Sequence, residues 1–194
     1  NNKMATSTML GRIFFRRSLI PTLIPRILAW KRNIRVGERL PPVSLYVDSP
    51  SNPINLQELF RGKKGVVFSV VGAFVPGCSQ AHLPEYISHV DKFREEGYDL
   101  LGCIAVNDPF VMSAWGKSVG ADGKVLMLAD PKAEFTRALD MELDCKNLLG
   151  GVRSKRYSLV IEDGVVQGVN TEPDHTGLAC LLCIRNYVRS RAAQ

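Results

Sequence analysis

The first 37 residues of the chain contain no carboxylate, because the first acidic side chain is Glu38. The same stretch holds eight basic residues: Lys3, Arg12, Arg16, Arg17, Arg26, Lys31, Arg32 and Arg35. The formal net charge of the 194-residue chain is +6, yet residues 37–194 carry 17 basic and 19 acidic side chains, a net charge of −2. Binding to nucleic acid needs Lys and Arg clustered on the folded surface. The charge distribution therefore argues against a nucleic-acid partner.

The N-terminal segment also lacks an uninterrupted apolar core. A secretory signal needs about 7 to 15 consecutive apolar residues, whereas the run after Arg17 is broken by Pro21 and Pro25 and ended by Arg26. A segment rich in Arg, Ser, Thr and bulky apolar residues, without acid, is typical of a mitochondrial transit peptide. We expect residues 1–33 to be a mitochondrial targeting leader that is removed or disordered, and cytosolic or peroxisomal forms stay open.

The sequence also lacks the patterns of a membrane span, a metal site and a nucleotide-binding loop. The longest uncharged stretch, residues 65–84, has polar residues and prolines in its second half, so we expect no membrane span. The three histidines, at positions 82, 89 and 175, have no metal-ligand spacing, and no glycine-rich phosphate loop is present. We expect neither a metal nor a nucleotide cofactor.

Apolar runs and helical periodicity alternate along the rest of the chain. They predict one domain over residues 34–194, with buried strands over 65–73, 98–106 and 125–129 and helices over 81–93, 109–119 and 133–139. A hairpin over 157–170 turns at Asp163-Gly164, and a final helix begins near Thr176. This order predicts an α/β thioredoxin-like fold, a mixed β-sheet flanked by helices.

The five cysteines do not form a disulfide framework if the protein resides in a reducing compartment. Cys103 lies inside an apolar run and is interpreted as a small core residue. Cys145 lies in a polar segment and is assigned no role. Cys78 is expected at the first turn of a helix, where backbone amides and the helix dipole stabilise a reactive thiolate. A purely structural cysteine stays open on this local pattern alone.

The residues around Cys78 favour a reactive cysteine over a structural one. The segment Val71-Gly-Ala-Phe-Val-Pro-Gly-Cys-Ser79, followed by Ala81-His-Leu-Pro84, resembles the active-site segment of the peroxiredoxins, in particular the atypical two-cysteine, type-five subgroup. Further similar segments follow in order over about residues 34–187: Phe60–Val66, Cys103–Asp108, Trp115-Gly116, Leu128–Pro131, Lys155–Ser158, Val169–Asp174 and Thr176–Cys180.

The resemblance implies a catalytic scheme. Cys78 would be the peroxidatic thiolate, which attacks a peroxide and becomes a sulfenic acid. Arg156 would hold the thiolate and the peroxide oxygens. From the local sequence alone, Arg156 would be a solvent-exposed charge of the hairpin. Cys180 would be the resolving cysteine that forms a disulfide with Cys78, and a thioredoxin would reduce that disulfide. The implied substrates are hydrogen peroxide and organic hydroperoxides, and the implied state is a monomer or weak homodimer.

The resemblance also places substrate-binding residues at Val75, Pro76, Gly77 and Thr176. Two positions depart from the family pattern, since the family normally carries Pro where Val71 stands and Thr where Val75 stands. Valine has nearly the shape of threonine but no hydrogen-bonding group. We therefore expect a slow peroxidase.

Two alternatives stay open. A peroxide sensor or redox-relay protein of the same fold would be oxidised at Cys78 without efficient turnover, and the changes at Val71 and Val75 favour it. Cys180-Leu-Leu-Cys183 could instead support a disulfide oxidoreductase, although this pair lies late in the chain. Cys183 could also compete with Cys180 for the sulfenic acid.

Overall fold

The computed structural model describes residues 33–172. Nearly all of the expected leader and the whole expected final helix, including Thr176, Cys180 and Cys183, lie outside the described residues. Within them the elements in chain order are β1 (Ser44–Tyr46), β2 (Pro53–Asn55), α1 (Leu56–Leu59), β3 (Lys64–Ser69), a π-helical turn (Cys78–His82), α2 (Leu83–Ser88), α3 (Val90–Glu95), β4 (Leu100–Ala105), α4 (Pro109–Ser118), β5 (Leu126–Ala129), α5 (Glu134–Ala138), β6 (Glu142–Cys145), α6 (Lys146–Leu149), β7 (Gly151–Ser154), β8 (Tyr157–Glu162) and β9 (Val165–Thr171).

The main sheet has the strand order β2-β1-β5-β4-β3-β8-β9. Its central strands β3, β4 and β5 are parallel, whereas β8, β9, β1 and β2 join it in antiparallel pairs. Strands β6 and β7 form a separate antiparallel pair. The expected thioredoxin-like fold with a mixed sheet flanked by helices is confirmed.

The central strands read as continuous apolar runs because helices cover both faces of the sheet. In β3, Val66 and Phe68 pack into one core cluster together with Trp115 of α4. Val67, on the opposite face, packs into a second cluster with Phe135 of α5. The alternation follows from the two-residue period of a strand. It places a core on each side of β3, and the active-site segment leaves from the end of that strand.

The hairpin of β8 and β9 is also as expected. Its turn residues Asp163 and Gly164 have φ values of 49° and 73°. Two consecutive positive φ values are what the short turns of twisted hairpins require.

The helix expected over 81–93 is divided, which corrects the sequence-based prediction. A π-helical turn comes first, and α2 then ends at Ser88, with His89 between it and α3. The Ser88 hydroxyl donates to the carbonyl oxygen of Glu85 at 2.8 Å, and His89 Nδ1 lies 2.8 Å from the same oxygen. The backbone N–H of His89 donates instead to Tyr86. Side chains that compete for a helical carbonyl interrupt the helix in this way.

Two other predictions need correction. The strand expected over 65–73 ends at Ser69, because residues 70–75 form a loop and Pro76 and Gly77 are already helical before the π-helical turn. Cys145, expected in a polar loop, is the last residue of β6 and is buried in the first core cluster. Within residues 33–172, no helix has both the length and the apolar character that crossing a membrane requires.

Candidate active site

Cys78 is the first residue of the π-helical turn and exposes no surface. The turn is held by a bond from the Ser79 N–H to the carbonyl oxygen of Val75 at 3.0 Å and by one from the Leu83 N–H to the carbonyl of Cys78. The π form is rare and is found mostly as single turns at functional sites. The cysteine that the sequence singled out therefore lies at the N-terminal end of a helical segment, at the carboxyl edge of the parallel strands.

Arg156 approaches this turn from the strand next to β3 in the sheet, β8. It lies just before β8, and only 4% of its surface is exposed, so the solvent-exposed charge favoured by the pattern alone is wrong. Its Nη2 lies 3.4 Å from the position that a Cβ on Gly77 would take. The guanidinium therefore lies against the backbone that leads into Cys78.

His82 holds the guanidinium in place. Its Nδ1 lies 2.9 Å from Nη1 of Arg156, and its ring is buried against Phe68 and Tyr86, with centroid distances of 5.4 and 5.7 Å. Burial first, and the charge of Arg156 second, lower the pKa of His82 to about 3. At neutral pH the ring is therefore neutral, so Nδ1 accepts the hydrogen bond and Nε2 carries the proton.

The sequence did not predict this contact. One signal could have placed His82 beside Cys78, though not beside Arg156: His82 follows Cys78 by four residues, the spacing that places two side chains on one face of a helix. Arg156 is 74 residues away in sequence, and no local pattern links it to His82.

The loop before Cys78 forms the remaining wall. Pro76 is exposed, while Val75 and Gly77 are half-buried. Val75 packs against the core cluster that contains Cys78, and its Cγ2 lies 3.4 Å from the position that a Cβ on Gly72 would take. Valine thus places only methyl groups in this loop, where a threonine would also offer a hydroxyl.

Two further residues support the turn. Trp115 of α4 is fully buried and donates from Nε1 to the Ser79 hydroxyl at 2.9 Å. Cys103 lies opposite Phe68 in the β3–β4 register and is buried, so its interpretation as a core residue agrees with its position. Burial, followed by the nearby Cys78, raises the pKa of Cys103, which keeps it a neutral thiol.

The part of the chain that the structure describes contains no group of three or more His, Cys, Asp or Glu side chains able to hold a metal ion. What it brings together is one buried thiol, one buried guanidinium and the neutral imidazole that orients it. Thr176 and Cys180, the other two expected site residues, lie outside the described residues.

Comparison with known proteins places this site in a family. The Redoxin family model matches residues 35–181. Peroxiredoxin-2E, chloroplastic, of Arabidopsis thaliana is 42% identical over 146 residues, which cover 72% of this chain and 62% of that protein. Peroxiredoxin-2F, mitochondrial, of the same plant is 40% identical over 126 residues, which cover 65% of this chain and 63% of that protein. The chain thus spans less than two thirds of the length of these relatives.

Solved structures of peroxiredoxins support the same family. Peroxiredoxin 5 of Alvinella pompejana is 57% identical, with a TM-score of 0.70, and the match covers 79% of this chain and 99% of that one. Reduced Prx3 of Vibrio vulnificus in complex with hydrogen peroxide is 41% identical, with a TM-score of 0.70 and coverage of 78% and 98%. The chain therefore belongs to the Redoxin family and, within it, is a peroxiredoxin of the type-five kind.

Proposed function

We propose that this protein is a thioredoxin-dependent peroxidase that reduces hydrogen peroxide and organic hydroperoxides. The observation that carries the proposal is the Arg156 guanidinium, buried beside the turn of Cys78 and fixed by the neutral His82. Membership of the peroxiredoxins and the hydrogen peroxide bound in the Vibrio relative support the same chemistry.

In the first step the Cys78 thiolate attacks one oxygen of the peroxide. The oxygen–oxygen bond breaks, the sulfur becomes a sulfenic acid, and the other oxygen leaves as water or an alcohol after taking up a proton. Negative charge moves from sulfur to the departing oxygen. A fixed guanidinium in a dry site stabilises that charge more strongly than it would in water.

The second step regenerates the enzyme. The Cys180 thiol condenses with the sulfenic acid, releases water and leaves a Cys78–Cys180 disulfide, which a thioredoxin reduces by thiol–disulfide exchange. Cys180 and Thr176 take these roles from the family resemblance. We propose that the protein works as a monomer or weak homodimer.

The second candidate is a peroxide sensor or redox relay of the same fold. Val75 favours it, because the side chain beside the thiolate has no group to hydrogen-bond to a peroxide. Such a protein would be oxidised at Cys78 but would cycle slowly.

We further propose that residues 1–33 direct the protein to mitochondria. The arginine-rich, acid-free composition of the segment supports this destination. The relatives named for mitochondria and chloroplasts support an organelle in general.

Turnover with a thioredoxin, its reductase and NADPH separates the two candidates. We expect the purified full chain to consume NADPH continuously when hydrogen peroxide is added, and the Cys78→Ser and Cys180→Ser variants to lose that turnover. A wild-type protein that is oxidised once at Cys78 and then stops would contradict the peroxidase and support the sensor.

A further inference from the structure

Cys78 has to become accessible after it has been oxidised. The residue exposes no surface in the closed structure, and a disulfide requires the two Cα atoms to lie within about 7 Å of each other. A peroxide needs only a small gap to reach the sulfur, whereas a thiol carried by a polypeptide needs the loop before Cys78 to move. Whatever holds that loop therefore controls the step that follows oxidation.

The loop is tied to the segment that follows β4. Strands β3 and β4 are parallel, so the residues that leave them lie at the same edge of the sheet. The side-chain oxygen Oδ1 of Asn107 accepts the backbone N–H of Ala73 at 3.0 Å. An apolar residue in place of Asn107 would leave that N–H without its partner, which is costly where the group is partly buried.

Arg153 of β7 ties the same segment to a third part of the chain. Its Nη1 donates to the carbonyl oxygen of Val106 at 2.6 Å, and its Nη2 donates to the carbonyl oxygen of Leu149 at 3.4 Å. The same Nη1 lies 3.6 Å from the position that a Cβ on Gly72 would take. The guanidinium thus lies against the active-site loop while it bridges the end of β4 and the end of α6.

The geometry points to a clamp, made of Asn107 and Arg153, that holds the loop before Cys78 closed and sets how often it opens for a second thiol. Asn107 holds the loop directly, through Ala73, and Arg153 holds the Val106–Asn107 backbone from behind. Both are positioning residues, since they bond to the backbone of Ala73, Val106 and Leu149 and act on Cys78 only through the loop. A tighter clamp would give the sulfenic acid more time to react with further peroxide.

The test measures the opening itself. Cys78 is labelled with a bulky maleimide under native conditions, and its tryptic peptide, residues 65–92, is quantified because it contains no other cysteine. In the Arg153→Met and Asn107→Leu variants we expect labelling of Cys78 about 5- to 30-fold faster, since losing one such hydrogen bond shifts the closed-to-open equilibrium by about that factor. Either variant alone is decisive if the other fails to fold.

Two controls separate the clamp from a general loss of stability. Cys103, fully buried in β4, reports opening of the whole domain. Arg94→Met removes an arginine that also donates to a backbone carbonyl, that of Gly123 at 3.1 Å, but belongs to α3. We expect less than a twofold change in Cys103 labelling in the clamp variants and in Cys78 labelling in Arg94→Met.

The proposal is overturned if Cys78 labelling in the clamp variants stays at the wild-type rate, or if Cys103 labelling rises in parallel. The role of the clamp in catalysis rests on the proposed function. That function is tested separately, because a wild-type Cys78 that hydrogen peroxide fails to oxidise contradicts the peroxidase and leaves the labelling result intact.

Discussion

At the scale of single residues, the proposed chemistry depends on how the buried guanidinium of Arg156 is held. Among the described residues, the Arg156 guanidinium has one hydrogen-bond partner, Nδ1 of His82, and its Nε has none. A buried charge needs strong hydrogen bonds to offset its lost hydration. His82 supplies one because its own pKa is too low for it to be charged at neutral pH.

The low pKa of His82 makes stability depend on pH. Its folded pKa is about 3, below the ordinary value of 6.5, so between these values the unfolded chain binds a proton that the folded chain does not. The contribution of His82 is therefore fully present above pH 6.5 and is lost as pH falls toward 3. We expect the free energy of unfolding, measured by urea denaturation, to fall more steeply from pH 6.5 to 4 in wild type than in His82→Gln. Parallel slopes would contradict the assignment.

Val75 is the residue whose change should raise activity. The Val75→Thr substitution keeps the shape of the side chain and adds a hydroxyl near the reacting atoms. A hydrogen bond of ordinary strength is worth up to about tenfold, and one aimed at developing charge can be worth about 100-fold. We expect Val75→Thr to speed oxidation of Cys78 by a factor in that range, followed by stopped-flow tryptophan fluorescence. Equal rates would show that the hydroxyl is dispensable in this protein.

At the scale of elements, helix α4 supports the π-helical turn of Cys78 without contributing a residue to the proposed chemistry. Asp108 caps its first turn, with the side chain accepting the Val111 N–H at 2.9 Å. The helix carries Trp115, whose Nε1 holds the Ser79 hydroxyl. The stability of this helix end is therefore linked to the residue that follows Cys78.

Loss of the α4 cap should cost stability. We expect Asp108→Ala to lower the free energy of unfolding by about 1 kcal/mol, the usual value of an N-cap side chain. Asp122→Ala, at an exposed position, is the control and should change it by less than about 0.5 kcal/mol. A similar loss in both variants, measured by urea denaturation, would show that the cap is not responsible.

The elements also show what can be predicted from sequence. Strands β3, β4 and β5 were predictable because burial on both faces leaves long apolar runs, and α4 because Pro109 marks its first turn. Strands β1, β2, β6 and β7 were not, because they are three or four residues long and only partly buried. Their formation depends on tertiary contacts, which local propensity does not contain.

The residues of the site also divide into those that local sequence predicts and those that only tertiary contacts bring together. The position of Cys78 at the start of a helix was predicted from the local pattern, whereas the catalytic roles of Cys78 and Arg156 come from the family resemblance. The partnership of Arg156 with His82 joins residues 74 positions apart, and the contact of Arg153 with Val106 joins residues 47 apart. Contacts of this range follow from the sheet order, which periodicity along the chain does not give.

At the scale of the whole molecule, the net charge of +6 separates into two parts. The acid-free N-terminal segment carries the positive charge, and residues 37–194 have a net charge of −2. A small neutral peroxide needs no strongly charged surface to attract it. The charge of the chain therefore supports the proposed destination rather than the substrate.

The proposed catalytic cycle links Cys78, in the described part of the chain, to Cys180. After treatment with one equivalent of hydrogen peroxide, we expect peptide mapping without reductant to find a Cys78–Cys180 disulfide. Cys183 should stay a free thiol, and Cys180→Ser should leave Cys78 as a sulfenic acid that a dimedone probe captures. A disulfide from Cys183 to either Cys78 or Cys180 would contradict the assignment of Cys180 as the resolving residue.

The central claim is that Cys78, beside the buried Arg156, reacts with peroxide as a thiolate. Stopped-flow oxidation of the reduced full chain by hydrogen peroxide, with Cys78→Ser as the blank, tests it most directly. We predict a fast phase whose rate rises linearly with peroxide concentration, is absent in Cys78→Ser, and falls at least about 100-fold in Arg156→Met because the guanidinium no longer stabilises the developing charge. A rate no faster than that of a free cysteine in solution, or one unchanged in Arg156→Met, would contradict the account.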